Sequence, residues 1–249
     1  MIKALPWRVV WLTGASSGIG FEIMLQLANS GVKVAASSRS KPSAMAHENI
    51  TFFALDVSDA QAVEKTVGEI EAKLGAIDLA IFAAGAYQPF APATASAQVF
   101  QQINAVNYLG VTNCLSAICK TMMARRKGHI SWFASVAGYS GLPKAAYYGP
   151  TKAALINLAE SMKLECEPFE VKISVINPGF VETPMTKVNN FKMPFLMDSQ
   201  SAARATIAGL AKANFEVAYP FAFVALLKFM RLLPYSIYFA IARRTRTIV

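Results

Sequence analysis

The stretch Thr13-Gly14-Ala15-Ser16-Ser17-Gly18-Ile19-Gly20 lies between an apolar run at residues 7–12 and a helix-like segment at residues 21–29. This order predicts a strand, a tight turn and the start of a helix. Glycines remove the Cβ atoms that would keep a phosphate away, and a helix N-terminus presents backbone N–H groups to an anion. The stretch therefore predicts a dinucleotide site, with an ordinary glycine turn as the alternative.

Three polar side chains further along the chain form a second pattern. Ser135 follows a strand-like run at residues 129–133, and Tyr148 and Lys152 lie four residues apart on one face of a predicted helix. Because an ammonium group favours the phenolate, we expect Lys152 to lower the pKa of Tyr148 and allow proton exchange near neutral pH. Ser135 would hold the reacting oxygen. The alternative is a solvated surface pair.

These motifs, in this order, resemble those of the short-chain dehydrogenase/reductase family. The resemblance extends from about Trp7 to about Tyr219. It rests on the glycine turn, Asp56-Val57, Ala84-Gly85, Asn107, Ser135, Tyr148 with Lys152, and Asn177-Pro178-Gly179 with Thr183.

The resemblance implies roles for particular residues. Tyr148 is the expected proton donor or acceptor, Lys152 lowers its pKa and holds the nicotinamide ribose, and Ser135 orients the substrate carbonyl. Asn107 completes the catalytic set by supporting a proton relay through water. The expected cofactor-binding residues are Gly14, Ser16, Ser17, Gly18, Ile19, Gly20, Ser38, Arg39, Asp56, Val57, Ala84, Gly85, Tyr148, Lys152, Pro178, Gly179, Val181 and Thr183.

Alternating apolar runs and amphipathic segments predict the fold class. The chain has 249 residues, 54% of them hydrophobic, and no evident linker. We expect one α/β domain over residues 1–249, a Rossmann-type doubly wound parallel sheet of about seven strands with helices on both faces. Strands are expected near 7–13, 32–37, 50–55, 77–83, 128–134, 171–177 and 215–219. Helices are expected near 18–30, 59–74, 97–126, 148–168 and 198–213.

The end of the second predicted strand indicates the cofactor. An acidic residue there would accept hydrogen bonds from a ribose 2′-OH and repel a 2′-phosphate, but the chain has Ser38 followed by Arg39. A guanidinium group suits a phosphate. We therefore expect NADP(H), with NAD(H) as the alternative.

The fourth predicted strand departs from the family pattern. It ends in Phe82-Ala83-Ala84-Gly85, where relatives usually have Asn-Asn-Ala-Gly. Phe82 cannot make the hydrogen bonds of the usual asparagine, so another group must satisfy that backbone.

Cysteine, histidine and charge limit the other functions. Three cysteines and two histidines lack metal-ligand spacing, so we expect no metal and three free thiols. With no signal peptide evident, we expect a cytoplasmic protein. The net charge is +9, but no nucleic-acid motif accompanies it, so nucleic acid is not expected as a partner.

Residues 220–249 form an apolar and basic C-terminal extension. Residues 201–249 carry seven Lys and Arg against Glu216 alone, and Lys228, Arg231 and Pro234 interrupt the apolar runs before they could span a membrane. Two short helices fit better. Flanked by Arg243, Arg244 and Arg246, they either lie peripherally on an anionic membrane or complete a substrate pocket or an oligomer interface.

Together these features predict an NADP(H)-dependent oxidoreductase that reduces a ketone or aldehyde to an alcohol, or the reverse, on a lipophilic substrate. Residues 185–197 are rich in Met and Phe and are expected to cover the substrate, with Met185, Phe191, Met193, Phe195 and Met197 as candidate pocket residues. The alternative is a loop that packs its own apolar side chains against one another. The resemblance implies a homodimer or homotetramer. The alternative is a catalytically silent nucleotide-binding or membrane-associated scaffold of the same fold.

Overall fold

A parallel sheet lies at the centre of the computed structural model, which describes residues 5–42 and 46–245. Within these residues the sheet has seven strands in the order β3-β2-β1-β4-β5-β6-β7. Successive strands are added on one side of β1 up to β3 and on its other side from β4 onwards, so the strand order changes sense between β1 and β4. Open α/β sheets bind ligands at the carboxyl ends of the strands at such a point. The strands are β1 (Val9–Thr13), β2 (Lys33–Ser38), β3 (Ile50–Ala54), β4 (Leu79–Phe82), β5 (Gly128–Phe133), β6 (Val171–Pro178) and β7 (Glu216–Tyr219).

Helices cover both faces of this sheet and confirm the predicted fold class. Alternate residues of β1 point to opposite faces: Val9 and Trp11 join one core, and Val10 and Leu12 join the other. The helices are α1 (Gly18–Asn29), α2 (Ala60–Leu74), α3 (Ala97–Asn104), α4 (Gly110–Ala124), α5 (Gly149–Cys166), α6 (Ser199–Ala211), α7 (Phe221–Arg231) and α8 (Tyr235–Thr245).

One predicted helix differs from the structure. The single helix expected over 97–126 is divided into α3 and α4 by a π-helical turn at Ala105–Leu109. Two tertiary contacts fix this turn. The Asn107 side chain bonds the backbone of Ala86, and Gly110 lies so close to Val57 that a Cβ atom there would come within 2.6 Å of its Cγ2.

The C-terminal extension forms the two expected short helices, α7 and α8. Among the described residues, no helix is both long and apolar enough to cross a bilayer. Arg246, which the sequence placed beside the basic end of α8, lies outside the described residues. The three cysteines, Cys114, Cys119 and Cys166, are free thiols.

Candidate active site

The glycine turn after β1 is held by close backbone packing. Gly14 and Gly18 have φ of +71° and +57°, a conformation that glycine adopts without strain. A Cβ atom on Gly14 would lie 2.5 Å from the backbone of Ala83, at the end of β4. The N–H of Ala15 donates to the carbonyl of Ser37 at 3.3 Å, which fixes the turn beside the end of β2.

A cleft of about 200 Å³ opens between this turn and the ends of β4, β5 and β6. Gly18 packs closely against the Thr183 side chain at the edge of the cleft, since an added Cβ atom on Gly18 would lie 2.9 Å from Cγ2 of Thr183. The cleft thus offers exposed backbone at a helix N-terminus, which fits the pyrophosphate of a dinucleotide. It is lined by most of the expected cofactor-binding residues: Gly14, Ser16, Ser17, Gly18, Ile19, Gly20, Gly85, Tyr148, Lys152, Pro178, Gly179, Val181 and Thr183.

Five expected cofactor-binding residues lie outside the lining of this cleft. Ser38 ends β2, and its hydroxyl donates to the carbonyl of Ser40 at 2.8 Å, while Arg39 is exposed. Asp56 accepts from the backbone and hydroxyl of Ser58 at 2.9 and 2.7 Å. These bonds, together with the charge of Arg39, hold the pKa of the Asp56 carboxyl below its usual value.

Val57 and Ala84 have structural contacts. Val57 is buried against α4, and its carbonyl accepts from Asn113 at 2.9 Å. The N–H of Ala84 donates to the hydroxyl of Thr13 at 3.4 Å, and that of Ala83 donates to the Thr13 carbonyl at 3.2 Å. Thr13 therefore satisfies the backbone beside Phe82, where the family asparagine is missing.

Tyr148 and Lys152 lie together in the first turn of α5, as the spacing predicted. The Lys152 ammonium lies 5.3 Å from the centroid of the Tyr148 ring and donates to the carbonyl of Phe133 at 2.7 Å. Pro150 is tolerated there because the first helical turn does not require its N–H.

The pKa of Tyr148 differs from the expectation. Burial raises the pKa of Tyr148 to about 12, with a smaller contribution from Tyr87, and the hydrogen bond with Ser135 only partly opposes this shift. Burial also lowers the pKa of Lys152 to about 7. The direction of this shift is opposite to the prediction that Lys152 brings the pKa of Tyr148 towards neutrality, and desolvation is its largest cause.

Ser135 lies two residues beyond Phe133, the last residue of β5. Its hydroxyl accepts from the N–H of Ala137 at 3.1 Å and lies 3.4 Å from the carbonyl of Pro178. It also hydrogen-bonds to Tyr148. The structure therefore brings Ser135, Tyr148 and Lys152 together at one end of the cleft.

Asn107 is fully buried in the π-helical turn. Its side chain accepts from the N–H of Ala86 at 2.7 Å, donates to the Ala86 carbonyl at 3.0 Å and contacts the hydroxyl of Thr151 at 3.2 Å. Asn107 thus links the loop after β4 to the first turn of α5, and it is not part of the lining of the cleft.

A second, mainly apolar cavity of about 430 Å³ adjoins the cleft. Ser135, Tyr148, Gly179, Met185 and Thr186 line both spaces. The apolar cavity is closed by the 185–197 segment and by α7 and α8. Of the apolar side chains singled out in that segment, Met185 and Phe191 line the cavity, and Met193, Phe195 and Met197 do not.

Sequence reasoning did not select Tyr87 for this cavity. Its ring packs edge-on against Tyr148 at 5.4 Å, and its hydroxyl donates to Asn189 at 3.0 Å. Its place two residues after Gly85, beyond the carboxyl end of β4, was the available signal. Tyr147, by contrast, is buried, packs edge-on against the rings of Phe90 and Phe100, and lies outside the lining of the cavity.

Comparison with known proteins assigns the family. The pattern described as short chain dehydrogenase matches residues 8–193. An uncharacterized oxidoreductase of Myxococcus xanthus is 32% identical over an alignment of 250 positions, which covers 97% of this chain and 99% of that relative. The 3-oxoacyl-[acyl-carrier-protein] reductase FabG of Staphylococcus aureus is 33% identical over 70% of this chain and 75% of its own length. The chain therefore belongs to the short-chain dehydrogenase/reductase family of oxidoreductases.

Solved structures agree with the fold. A short-chain dehydrogenase/reductase from Burkholderia phymatum, in complex with NAD, has a TM-score of 0.82 at 20% identity and covers 91% of this chain and 94% of its own. ElxO with NADP bound has a TM-score of 0.75 at 23% identity, covering 85% of this chain and 97% of its own. Structural relatives of this fold thus include one with NAD and one with NADP.

Proposed function

We propose that this protein is an NADP(H)-dependent oxidoreductase that reduces a ketone or aldehyde on a lipophilic substrate, or oxidises the corresponding alcohol. The observation that carries this proposal is the position of Ser135 and Tyr148, which line both the nucleotide-type cleft and the apolar cavity. Two hydroxyl groups at the junction of the two spaces are suited to a carbonyl oxygen that enters from the apolar side.

The glycine turn, Lys152 and Thr183 would hold the nicotinamide cofactor, which when bound supplies or accepts a hydride. Tyr148 gives a proton to the carbonyl oxygen, and Ser135 donates a hydrogen bond that holds this oxygen. The Lys152 ammonium lies against the Tyr148 ring, where its positive charge would stabilise the phenolate that forms when Tyr148 gives up its proton.

A phenol whose pKa is raised by burial is protonated at neutral pH, which is the form that can donate a proton to a carbonyl oxygen. The same group accepts a proton when the alcohol is oxidised, so both directions of the reaction use Tyr148.

Asn107 is a positioning residue in this proposal. Its two hydrogen bonds to Ala86 and its contact with Thr151 hold the loop after β4 and the start of α5 in a fixed relation. The water relay implied by the family would rest on this same framework.

Preference for NADP(H) rests on Ser38 and Arg39. The end of β2 has no acidic side chain to bond a ribose 2′-OH, and the exposed Arg39 guanidinium can reach an anionic group. Asp56 is close enough to Arg39 for the two charges to interact, which would orient the guanidinium. NAD(H) is the alternative cofactor.

We also propose a homodimer or homotetramer that forms through the helical region from α3 to α5. Leu109 and Leu164 are 47% and 72% exposed there, and an interface would cover them. Light scattering of the purified protein at micromolar concentration should give a dimer or tetramer, and a monomer alone would contradict this assignment.

A substrate panel tests the reaction. Purified protein should oxidise NADPH with medium-chain ketones and aldehydes, more slowly with short polar carbonyls, and more slowly with NADH at equal concentration. If folded protein binds NADPH tightly but oxidises it with none of these carbonyls, the proposed reaction is wrong and a nucleotide-binding scaffold is favoured.

A further inference from the structure

The outward surfaces of α7 and α8 are strongly apolar. We call the exposed side chains of residues 221–244 the tail surface. Phe221, Phe229, Leu232 and Tyr235 are 84%, 61%, 81% and 79% exposed. Exposure of several large apolar side chains on two consecutive helices indicates an interaction site.

This exposure is not the result of a detached segment. Phe223, Val224 and Leu227 of α7 are buried in the core beside the sheet. Lys228 pairs with Glu216 on β7, and the hydroxyl of Tyr238 donates to the carbonyl of Gly141 at 2.5 Å. Both helices are therefore docked by one side, and a second apolar side remains towards solvent.

The charge of the tail surface points to an anionic partner. Residues 217–249 contain five Lys and Arg and no Asp or Glu. Lys228 pairs with Glu216, while Arg231, Arg243 and Arg244 are exposed. A symmetric contact between two copies would place the same basic surface on both sides, with no acid in residues 217–249 to pair with these arginines, which disfavours a second copy as the occupant.

The tail surface is continuous with the apolar cavity. Leu226 lines the cavity and is also 48% exposed, and Met230 and Tyr238 line it from the same helices. Phe195, 50% exposed, stacks on Phe223 at 5.7 Å and extends the apolar surface across the 185–197 segment. A partner on the tail surface would therefore lie against helices whose side chains also line the cavity.

We propose that the tail surface docks on an anionic lipid bilayer, with its apolar side chains at the boundary of headgroups and acyl chains and its arginines among the headgroups. Each helix has 11 residues, about 16 Å in length, which suits a helix that lies in the interface plane and is too short to span. An apolar substrate would then enter the cavity from the bilayer. The docking goes beyond the proposed reaction and does not depend on it.

Vesicle flotation of the folded, full-length protein tests the docking without any measurement of turnover. The protein should float with phosphatidylcholine vesicles that contain phosphatidylglycerol, float less with phosphatidylcholine alone, and be released by high salt because exposed charges are screened. Absence of flotation with anionic vesicles at low salt would overturn the proposal.

Two matched variants separate docking from misfolding. Phe221→Ser/Phe229→Ser/Leu232→Ser should lower the vesicle partition coefficient at least about tenfold, since three apolar side chains leave the interface. Phe221→Leu/Phe229→Leu/Leu232→Ile, at the same positions, should float like the wild type. None of these three residues lines the apolar cavity.

Other outcomes contradict the proposal. Equal flotation of the serine variant and the wild type would show that another surface binds lipid. A wild-type dimer that the serine variant converts to a monomer in the absence of vesicles would show that a second copy covers the tail surface.

Discussion

Individual side chains decide which nucleotide this site prefers and how its proton donor behaves. Arg39 is exposed at the end of β2, where it lies near the charge of Asp56. Lys152 is buried and Tyr148 is partly buried beside it, and desolvation shifts the pKa values of both towards the neutral forms. In this account Arg39 determines the choice of cofactor, and Tyr148 with Lys152 determines proton transfer.

Arg39→Ala should weaken NADPH binding by about ten- to hundredfold and leave NADH binding nearly unchanged, because only NADPH carries the 2′-phosphate. Titration of cofactor fluorescence measures both dissociation constants. Lys41→Ala, which removes an exposed cation two residues away, should not change the ratio of the two constants. Equal weakening of both cofactors by Arg39→Ala would exclude the 2′-phosphate role.

The sequence predicted which reactive residues meet, but not their protonation. Spacing alone placed Tyr148 and Lys152 on one helix face, and Ser135 at the end of a strand, and the structure brings all three together. The pKa of Tyr148 depends instead on how completely Phe133, Tyr87 and the start of α5 exclude water. That is a property of tertiary packing, which no local pattern contains.

Three elements pack closely together at the turn between β1 and α1. At Gly14 the backbone of the turn packs directly against the end of β4. At Gly20 it packs against the turn itself, since an added Cβ atom there would lie 2.3 Å from the carbonyl oxygen of Gly14. This packing holds the N-terminus of α1 at the floor of the cleft. The fold and the nucleotide-type cleft therefore depend on the same glycines.

Gly14→Ala should reduce the free energy of unfolding by at least about 2 kcal/mol, since a φ of +71° is strained for alanine and the methyl group would overlap Ala83. Urea denaturation followed by circular dichroism measures this change. Gly68→Ala is the matched control. Gly68 is exposed in α2, and a methyl group there would have no atom within 4 Å, so the change should stabilise by about 0.5–1 kcal/mol. Wild-type stability of Gly14→Ala would contradict the close packing.

Strands and most helices were predictable, because each is a local apolar pattern with a clear stop. The helix expected over 97–126 was wrong in its continuity, since the π-helical turn depends on Asn107 meeting Ala86 and on Gly110 meeting Val57. The role of α7 and α8 in closing the apolar cavity was only one of the open alternatives. The position of these two helices depends on contacts of Tyr238 with Gly141 and of Lys228 with Glu216, which no local pattern in α7 or α8 predicts.

The whole molecule should lose stability in acid partly through one histidine. His129 is buried on β5, with Nε2 2.8 Å from the hydroxyl of Ser174, and this hydroxyl donates to the carbonyl of Asn214. Because the Ser174 hydroxyl donates its proton to Asn214, it can only accept from His129. Nε2 of His129 is therefore the protonated ring nitrogen and donates to Ser174. Burial, with a smaller effect of the Lys172 charge, lowers the pKa of His129 to about 4 from its ordinary value of 6.5.

The free energy of unfolding should therefore fall as the pH decreases from 6.5 to about 4, because the unfolded chain binds a proton that the folded protein excludes. The contribution of His129 is about 2–3 kcal/mol at the acid end. Urea denaturation at several pH values should show a shallower pH dependence for His129→Gln than for the wild type, whatever the stability of the variant at pH 7. Identical slopes over this range would contradict the assignment.

Transfer of a proton by Tyr148 is tested most directly by Tyr148→Phe, assayed with a carbonyl substrate that the wild type reduces. Phenylalanine keeps the ring that packs against Tyr87 and Lys152 and removes only the hydroxyl. We expect kcat to fall by about 10²–10⁴-fold while the Kd for NADPH changes little, since the hydroxyl acts in the chemical step. Turnover close to that of the wild type would show that Tyr148 is not the proton donor.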